Sequence, residues 1–324
     1  MRTQFKVAAA QLAPVYLDAR KTVEKAIGAI GEARTAGAAL IAFPEAFAPG
    51  FPLWPAVAAP ISGQDLYQQY FQQSLDVEGA LMTSIRAAAR KHGIYVSFGF
   101  SERSNHSSGG MWNSNVLISE KGEILNHHRK IVPTFYEKLI WTPGDGAGLQ
   151  VSETDIGKIG ALICGENVNP LARFALIGQG EQLHVSSWPP VWPTKHPSQG
   201  PGMDLQLGMR ARAINHSAES KAYTIAVAAH YDESYARALR SLGDPAIRII
   251  EEAQRGASLI VDPWAKVIAE ATSNDEMILY ADVDLETCVG PKAIQDLAGA
   301  YNRFDIFELR INRTRLEPLV PGQC

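Results

Sequence analysis

Cysteine is scarce in this chain: three in 324 residues, at Cys164, Cys288 and Cys324. That is too few for a disulfide scaffold and suits a reducing cytoplasm, which is the expected location. No run is rich in lysine or arginine and the net charge is −4, so nucleic acid is not an expected partner. No apolar stretch is long enough to span a bilayer, so no membrane partner is expected either. Nothing with the layout of a signal peptide precedes Phe5-Lys6-Val7-Ala8-Ala9-Ala10. The sequons at Asn105, Asn215 and Asn312 then read as chance matches. Repeats, low-complexity tracts and Pro/Gly linkers are missing too, which points to one domain over 1–324. With 46% hydrophobic and 20% charged residues, the chain is not a mainly disordered one.

What the sequence does contain is an alternation of strand and helix patterns. Phe5 to Ala13 reads as a buried strand. Asp18 can cap a helix with Val23, Ile27 and Ile30 on its apolar face, ending near Gly37. Ala39 to Phe43 is a short apolar run stopped by Pro44, hence a buried strand. Val77 to His92 reads as a helix and Ile94 to Phe100 as a strand. The pattern then changes. Asn115 to Ser119 and Glu123 to Asn126 form one hairpin, and Leu149 to Thr154 and Lys158 to Ile163 form another. Beyond Cys164 come a helix (Leu171 to Ile177), a strand (Gln182 to Ser187), a helix (about Met203 to Ala218) and a strand (Tyr223 to Ala229). Ser258 to Asp262 and Met277 to Val283 supply late strands. Hairpins mixed with βα units predict α/β sheets of mixed strand direction covered by helices.

Three places combine a reactive side chain with the end of an element. Glu45 follows a strand as Phe43-Pro44-Glu45, Lys130 ends one as His128-Arg129-Lys130, and Cys164 ends Ile159 to Ile163 and is followed by Gly165-Glu166-Asn167. Strand ends are where α/β folds collect ligand sites. Each residue type alone has an ordinary structural role. A single cysteine is most often an inert buried hydrophobe, the reading given to Cys288 and Cys324. A single Glu or Lys is most often solvated; Glu45 and Lys130 differ because each abuts an apolar strand end.

Taken in order, Phe43-Pro44-Glu45, Arg129-Lys130-Ile131-Val132-Pro133-Thr134 and Cys164-Gly165-Glu166-Asn167 resemble the three catalytic blocks of the nitrilase superfamily of carbon–nitrogen hydrolases. Asn169-Pro170-Leu171-Ala172-Arg173 and Gly180-Glu181-Gln182 continue the likeness in the manner of its nitrilase branch. The resemblance runs from about Val7 to about Asp284. It implies a four-layer αββα sandwich, with the segment from about 285 to 324 as an oligomerisation or packing extension, and a homodimer or higher homo-oligomer. It also implies roles. Cys164 is the nucleophile. Lys130 lowers the thiol pKa and stabilises developing negative charge. Glu45 takes the thiol proton and later activates water. Glu137 is the additional active-site glutamate that orients the lysine.

Gly165, Glu166, Asn167, Trp188 and Trp54 are the expected substrate-binding residues, although Glu166 equally fits a loop-holding role, and Trp54, Trp188 and Trp192 equally fit packing. The backbone N–H of Gly165 can serve a developing anion. Nitrilases often carry Trp directly after the nucleophile; this chain has Gly165 there. No cofactor and no metal are expected. His127-His128 and His106, His184, His196, His216 and His230 show no zinc spacing, and Gly144-Asp145-Gly146-Ala147-Gly148 lacks the phosphate-loop fingerprint and reads as a turn. The implied activity is hydrolysis of an organic nitrile to an acid and ammonia. An amidase of the same superfamily, and a catalytically silent scaffold or binding protein on the same fold, are the alternatives.

Overall fold

The computed structural model describes residues 2–273 and 275–317; Cys324 lies outside them. The elements run β1 (Gln4–Gln11), α1 (Ala19–Thr35), β2 (Ala38–Ala42), α2 (Gln64–Gln73), α3 (Ala80–His92), β3 (Tyr95–Arg103), β4 (Met111–Ile118) and β5 (Ile124–Arg129). Then come β6 (Ser152–Thr154), β7 (Gly157–Ile163), α4 (Pro170–Ile177), β8 (Leu183–Trp188), α5 (Leu205–Ser220), β9 (Tyr223–Ala228), α6 (Glu233–Ala238) and α7 (Asp244–Glu251). β10 (Leu259–Val261), β11 (Val267–Glu270), β12 (Met277–Asp284) and α8 (Val289–Lys292) complete the chain.

Two six-stranded sheets form, in the orders β12-β1-β2-β3-β4-β5 and β11-β10-β9-β8-β7-β6. Each has a parallel centre, β1-β2-β3 in one and β7-β8-β9 in the other, and antiparallel flanks. This is the mixed direction that hairpins flanking βα units produce.

The layers follow from the period of two along each strand. In β1, Phe5, Val7 and Ala9 join Leu40, Tyr95 and Leu117 against Ile159, Ala161, Val185, Ile225 and Val227 of the other sheet. The alternate residues, Ala8 and Ala10, face Val23, Ala26 and Ile30 of α1 and Ile85 and Ala89 of α3. The second sheet is covered on its outer face by α5, through Leu205, Met209 and Ala213, and by α4, through Ala172, Ala175 and Leu176. The result is helix, sheet, sheet, helix, as expected.

Asp18 does cap α1, accepting from the Lys21 N–H at 3.0 Å. Five elements were not legible: α2, α6, α7, β11 and α8. In α2 (Gln-Asp-Leu-Tyr-Gln-Gln-Tyr-Phe-Gln-Gln) only Leu66 and Tyr70 are buried, too few to print a helical period. The expected strand from Leu149 shortens to Ser152–Thr154, since Leu149 packs instead with Leu162, Ala172 and Leu176. The tail returns to the body: Arg313 donates to the Leu149 carbonyl at 3.1 Å and Arg315 to the His127 carbonyl at 2.8 Å. Among the described residues no helix is long and apolar enough to cross a membrane.

Candidate active site

The three strand ends named above converge. Glu45 stands three residues beyond β2, Lys130 directly after β5, and Cys164 directly after β7. Because β2 and β5 share one sheet and β7 lies in the other, the face-to-face packing of the sheets brings them to one place. One carboxylate oxygen from each of Glu45 and Glu137, together with Cys164 Sγ, lie within 4.8 Å of one another. Lys130 Nζ donates to Glu45 Oε1 at 2.7 Å and to Glu137 Oε2 at 2.6 Å, and all three side chains are completely buried. Glu137 sits on a short helical turn, Phe135–Leu139, where Oε2 also accepts from the Thr134 N–H at 3.0 Å.

Burying an ammonium between two carboxylates is favourable only as a set, because each charge taken from water needs its partner. Burial would lower the Lys130 pKa, but Glu137 and Glu45 outweigh it and hold the group charged. Glu45 is pushed up to about 7, first by burial and then by the charge of Glu137, against the pull of Lys130. A carboxylate near neutrality can take a proton and return it, which is what a general base requires.

The thiol is pulled both ways. Lys130 does pull the Cys164 pKa down, yet burial and the charge of Glu45 push harder, and the net shift is well upward. At rest the group is a thiol. A thiolate there needs a base beside the sulfur, and a carboxylate oxygen of Glu45 lies within 4.8 Å of it. Cys164 also has φ of 50°, and Phe135, on the facing loop, has φ of 52°. Left-handed backbone at a non-glycine residue stores strain and clusters at functional sites.

Glu166, expected either at the substrate or holding the loop, and Asn167, expected at the substrate, both make hydrogen bonds that hold the loop. Glu166 accepts from the Ile131 N–H at 2.7 Å and the Ile163 N–H at 2.8 Å, and pairs with His128 Nε2 at 2.8 Å. It thereby fastens the Lys130 strand end to the Cys164 strand end. Asn167 donates to the Cys164 carbonyl at 3.0 Å, and its Oδ1 meets His184 Nε2 at 2.9 Å. Their polar atoms are engaged within the protein. Gly165 is confined: a Cβ there would come within 2.8 Å of Thr134 Oγ1. A cleft of about 270 Å³, bordered by Val132, Thr134, Phe135 and Gly165, opens on this side. Trp188 is buried in the same cluster as Cys164, its Nε1 donating to Ser186 Oγ at 2.7 Å. Trp54 is also buried, against Tyr70, in a second aromatic cluster that includes Tyr136 and Trp141. Trp192 touches both clusters.

Several residues here were not among the expected site residues, although Glu181 lies in the Gly180-Glu181-Gln182 stretch of the likeness. Asn113 of β4 donates from Nδ2 to Glu45 Oε1 at 2.7 Å. Glu181, His184 and His216 form a fully buried set: His184 Nδ1 meets Glu181 Oε2 at 3.1 Å, His216 Nε2 meets Glu181 Oε1 at 2.5 Å, and the imidazoles stack at 3.6 Å. Through Asn167 this set reaches the Cys164 carbonyl. Burial would raise Glu181, but His216 and His184 bring it down to about 2. The donor atoms of this set lie close enough together to be weighed as metal ligands, as do those of Glu45, Glu137 and Cys164. Both sets are already joined to protein partners by hydrogen bonds. His127, which showed no zinc spacing in the sequence, pairs with the buried Glu102 at 2.7 Å.

The comparisons agree with this geometry. The family model described as carbon–nitrogen hydrolase matches residues 6–290. An arylacetonitrilase of Fusarium vanettenii is 33% identical, covering 100% of this chain and 97% of the relative. A nitrilase of Pseudomonas syringae pv. syringae is 34% identical over 96% and 91%, and a cyanide hydratase of Botryotinia fuckeliana 35% identical over 97% and 84%. Among solved structures, a carbon–nitrogen hydrolase from Helicobacter pylori superposes with a TM-score of 0.69 at 21% identity, over 90% of this chain and 93% of that one. Nit3 of Saccharomyces cerevisiae, described as a member of the nitrilase superfamily, gives 0.69 at 20% over 92% and 97%. With a buried Glu–Lys–Glu set beside a strained cysteine, on an αββα sandwich matched over most of its length, the chain belongs to the carbon–nitrogen hydrolase family of the nitrilase superfamily.

Proposed function

We propose that the protein hydrolyses an organic nitrile to the carboxylic acid and ammonia through a covalent intermediate on Cys164. The observation that carries this is the placing of Lys130 between Glu45 and Glu137, with one oxygen of each carboxylate within 4.8 Å of the cysteine sulfur. The names of the relatives, which include nitrilase and arylacetonitrilase, support a nitrile substrate.

The thiol transfers its proton to Glu45 as Sγ bonds to the cyano carbon. The nitrile nitrogen gains that proton, giving a thioimidate. A water, deprotonated by Glu45, adds to the same carbon; the C–N bond breaks, ammonia leaves, and a thioester remains. A second water adds, the C–S bond breaks, and the acid departs with the thiol restored. Lys130 has three N–H bonds, two of them directed to carboxylates. The third is available to the charge that grows on the substrate. Such fixed donors in a dry site are worth about 10²–10³-fold in rate.

The protein acts in this reading as a homodimer or higher homo-oligomer. Leu171 on α4 and Ile306 and Phe307 in the tail leave apolar surface exposed, which supports a contact there and a packing role for the segment beyond 285.

A panel of aliphatic, arylaceto- and aromatic nitriles, hydrogen cyanide and matched amides, scored by ammonia release, tests the proposal. Nitriles should yield acid and ammonia, with the acyl group on Cys164 visible in the mass of quenched protein. Ready hydrolysis of amides with no nitrile turned over would replace it with the amidase reading.

A further inference from the structure

Every buried polar atom at the site has a partner or awaits one. Glu45 Oε2, Glu137 Oε1, Asn113 Oδ1, His128 Nδ1 and the Tyr136 hydroxyl have none among the described residues, and Asn113 and His128 are each tied to a site carboxylate by their other polar atom. The two carboxylate oxygens have roles in the chemistry above. Tyr136 does not. It is the residue before Glu137 on the turn Phe135–Leu139 and is 6% exposed. Its ring lies 6.0 Å from that of Trp192 and 5.5 Å from that of Phe135. The indole Nε1 of Trp192 is likewise buried and unpartnered among the described residues. Trp192 spans the aromatic cluster of Tyr136 and the cluster that holds Cys164 and Trp188. The phenol thus stands where an aromatic wall meets the nucleophile.

A buried hydroxyl with no partner is unfavourable, so a ligand that pairs with it gains affinity from doing so. Tyr136 keeps an O–H to donate to that ligand, because burial and then the charges of Glu137, Cys164 and Glu45 hold the phenol well above its ordinary pKa. The nitrile nitrogen is not the natural acceptor, since the third N–H of Lys130 is free to serve it. What remains is a group on the substrate's own skeleton, on the aromatic side of the attacked carbon.

We infer that Tyr136 is a specificity-determining residue: its hydroxyl donates to a hydrogen-bond acceptor that the substrate carries beside its cyano group, and so favours nitriles with an ether, carbonyl or ring-nitrogen atom there over their hydrocarbon counterparts. This rests on the proposed function, and it narrows the substrate class within it. A site built around a donor rejects the analogue without an acceptor, because binding then leaves the donor desolvated and unpaired.

The experiment uses isosteric pairs that differ by one acceptor, methoxyacetonitrile with butyronitrile and phenoxyacetonitrile with 3-phenylpropionitrile. The readout is the kcat/KM ratio within each pair, in the full-length protein and in Tyr136→Phe. Taking the ratio of ratios cancels the intrinsic reactivity of each nitrile and any general loss of activity in the variant. The within-pair preference for the acceptor should fall about tenfold in Tyr136→Phe, the worth of one hydrogen bond. Calorimetric binding of the same pairs to Cys164→Ala and to Cys164→Ala/Tyr136→Phe should show the same change without turnover. A preference that is the same in both proteins, whether or not activity falls on all substrates alike, overturns the inference. If the full-length protein hydrolyses amides and no nitrile, the proposed function fails, while matched amide pairs measured the same way still decide the role of Tyr136.

Discussion

Replacing Asn113 by Ala should move the acidic limb of the pH–rate profile upward. Asn113 Nδ2 donates to Glu45 Oε1 at 2.7 Å, the oxygen that also receives Lys130. Glu45 stands at about 7 because burial, then the Glu137 charge, raise it while Lys130 and Asn113 lower it. As the base it must be ionised, so kcat/KM should climb with pH and level off above about 7. A hydrogen bond to a charged group contributes about 1.5–3 kcal/mol. At about 1.4 kcal/mol per pH unit, its loss raises the limb by roughly 1–2 units. At neutral pH the variant should therefore be slower by about tenfold or more, and it should recover at alkaline pH. The stability sign is opposite. A carboxyl whose folded pKa lies above its unfolded value adds stability that is complete below about 4.5 and fades as pH rises through about 7. The assay is ammonia release at low substrate concentration across the pH range, with circular dichroism at each point to show the variant folded. A limb that stays in place, or moves down, refutes Glu45 as the base that Asn113 tunes.

Cys164→Ala should abolish ammonia release and leave the circular dichroism spectrum and unfolding midpoint near those of the parent, since the lost sulfur does chemistry; residual turnover near parental level removes it as nucleophile. Gly165→Ala should lower kcat by about 10–100-fold, because its Cβ would sit 2.8 Å from Thr134 Oγ1 and displace one of two loops whose relative placement sets the geometry; steady-state kinetics with parental rates would show that the contact yields freely. Burial, then His216 and also Arg173, hold His184 down at about 4 against the pull of Glu181. The unfolded chain then takes up this proton first, so stability should drop by about 3 kcal/mol as pH falls from about 6.5 to about 4. Urea unfolding midpoints over that window measure it, and His184→Gln should flatten the dependence; an equal slope in the variant places the acid sensitivity elsewhere.

The layered fold could be inferred from the sequence because it follows from local patterns. The alternation Phe5, Val7, Ala9 against Ala8, Ala10 already divides β1 between two cores, and Pro44 and Gly165 mark where strands must stop. α2, α6, α7, α8 and β11 were missed because each hides few apolar residues and takes its shape from what it packs against.

The sequence by itself determined Glu45, Lys130 and Cys164 as candidates, since each is a reactive residue at an element end within a recognisable block, and the family likeness added Glu137. It could not determine what their neighbours do. Glu166 and Asn167 sit beside the nucleophile in the chain, yet their hydrogen bonds run to Ile131, His128 and His184. Asn113 and His184 looked like ordinary strand polar residues, because where a strand side chain points depends on pairing register with distant segments. The thiol's direction of shift was likewise hidden. It depends on how deeply packing buries Cys164 and on how close Glu45 comes compared with Lys130, and both are set by two sheets, folded from different parts of the chain, meeting face to face.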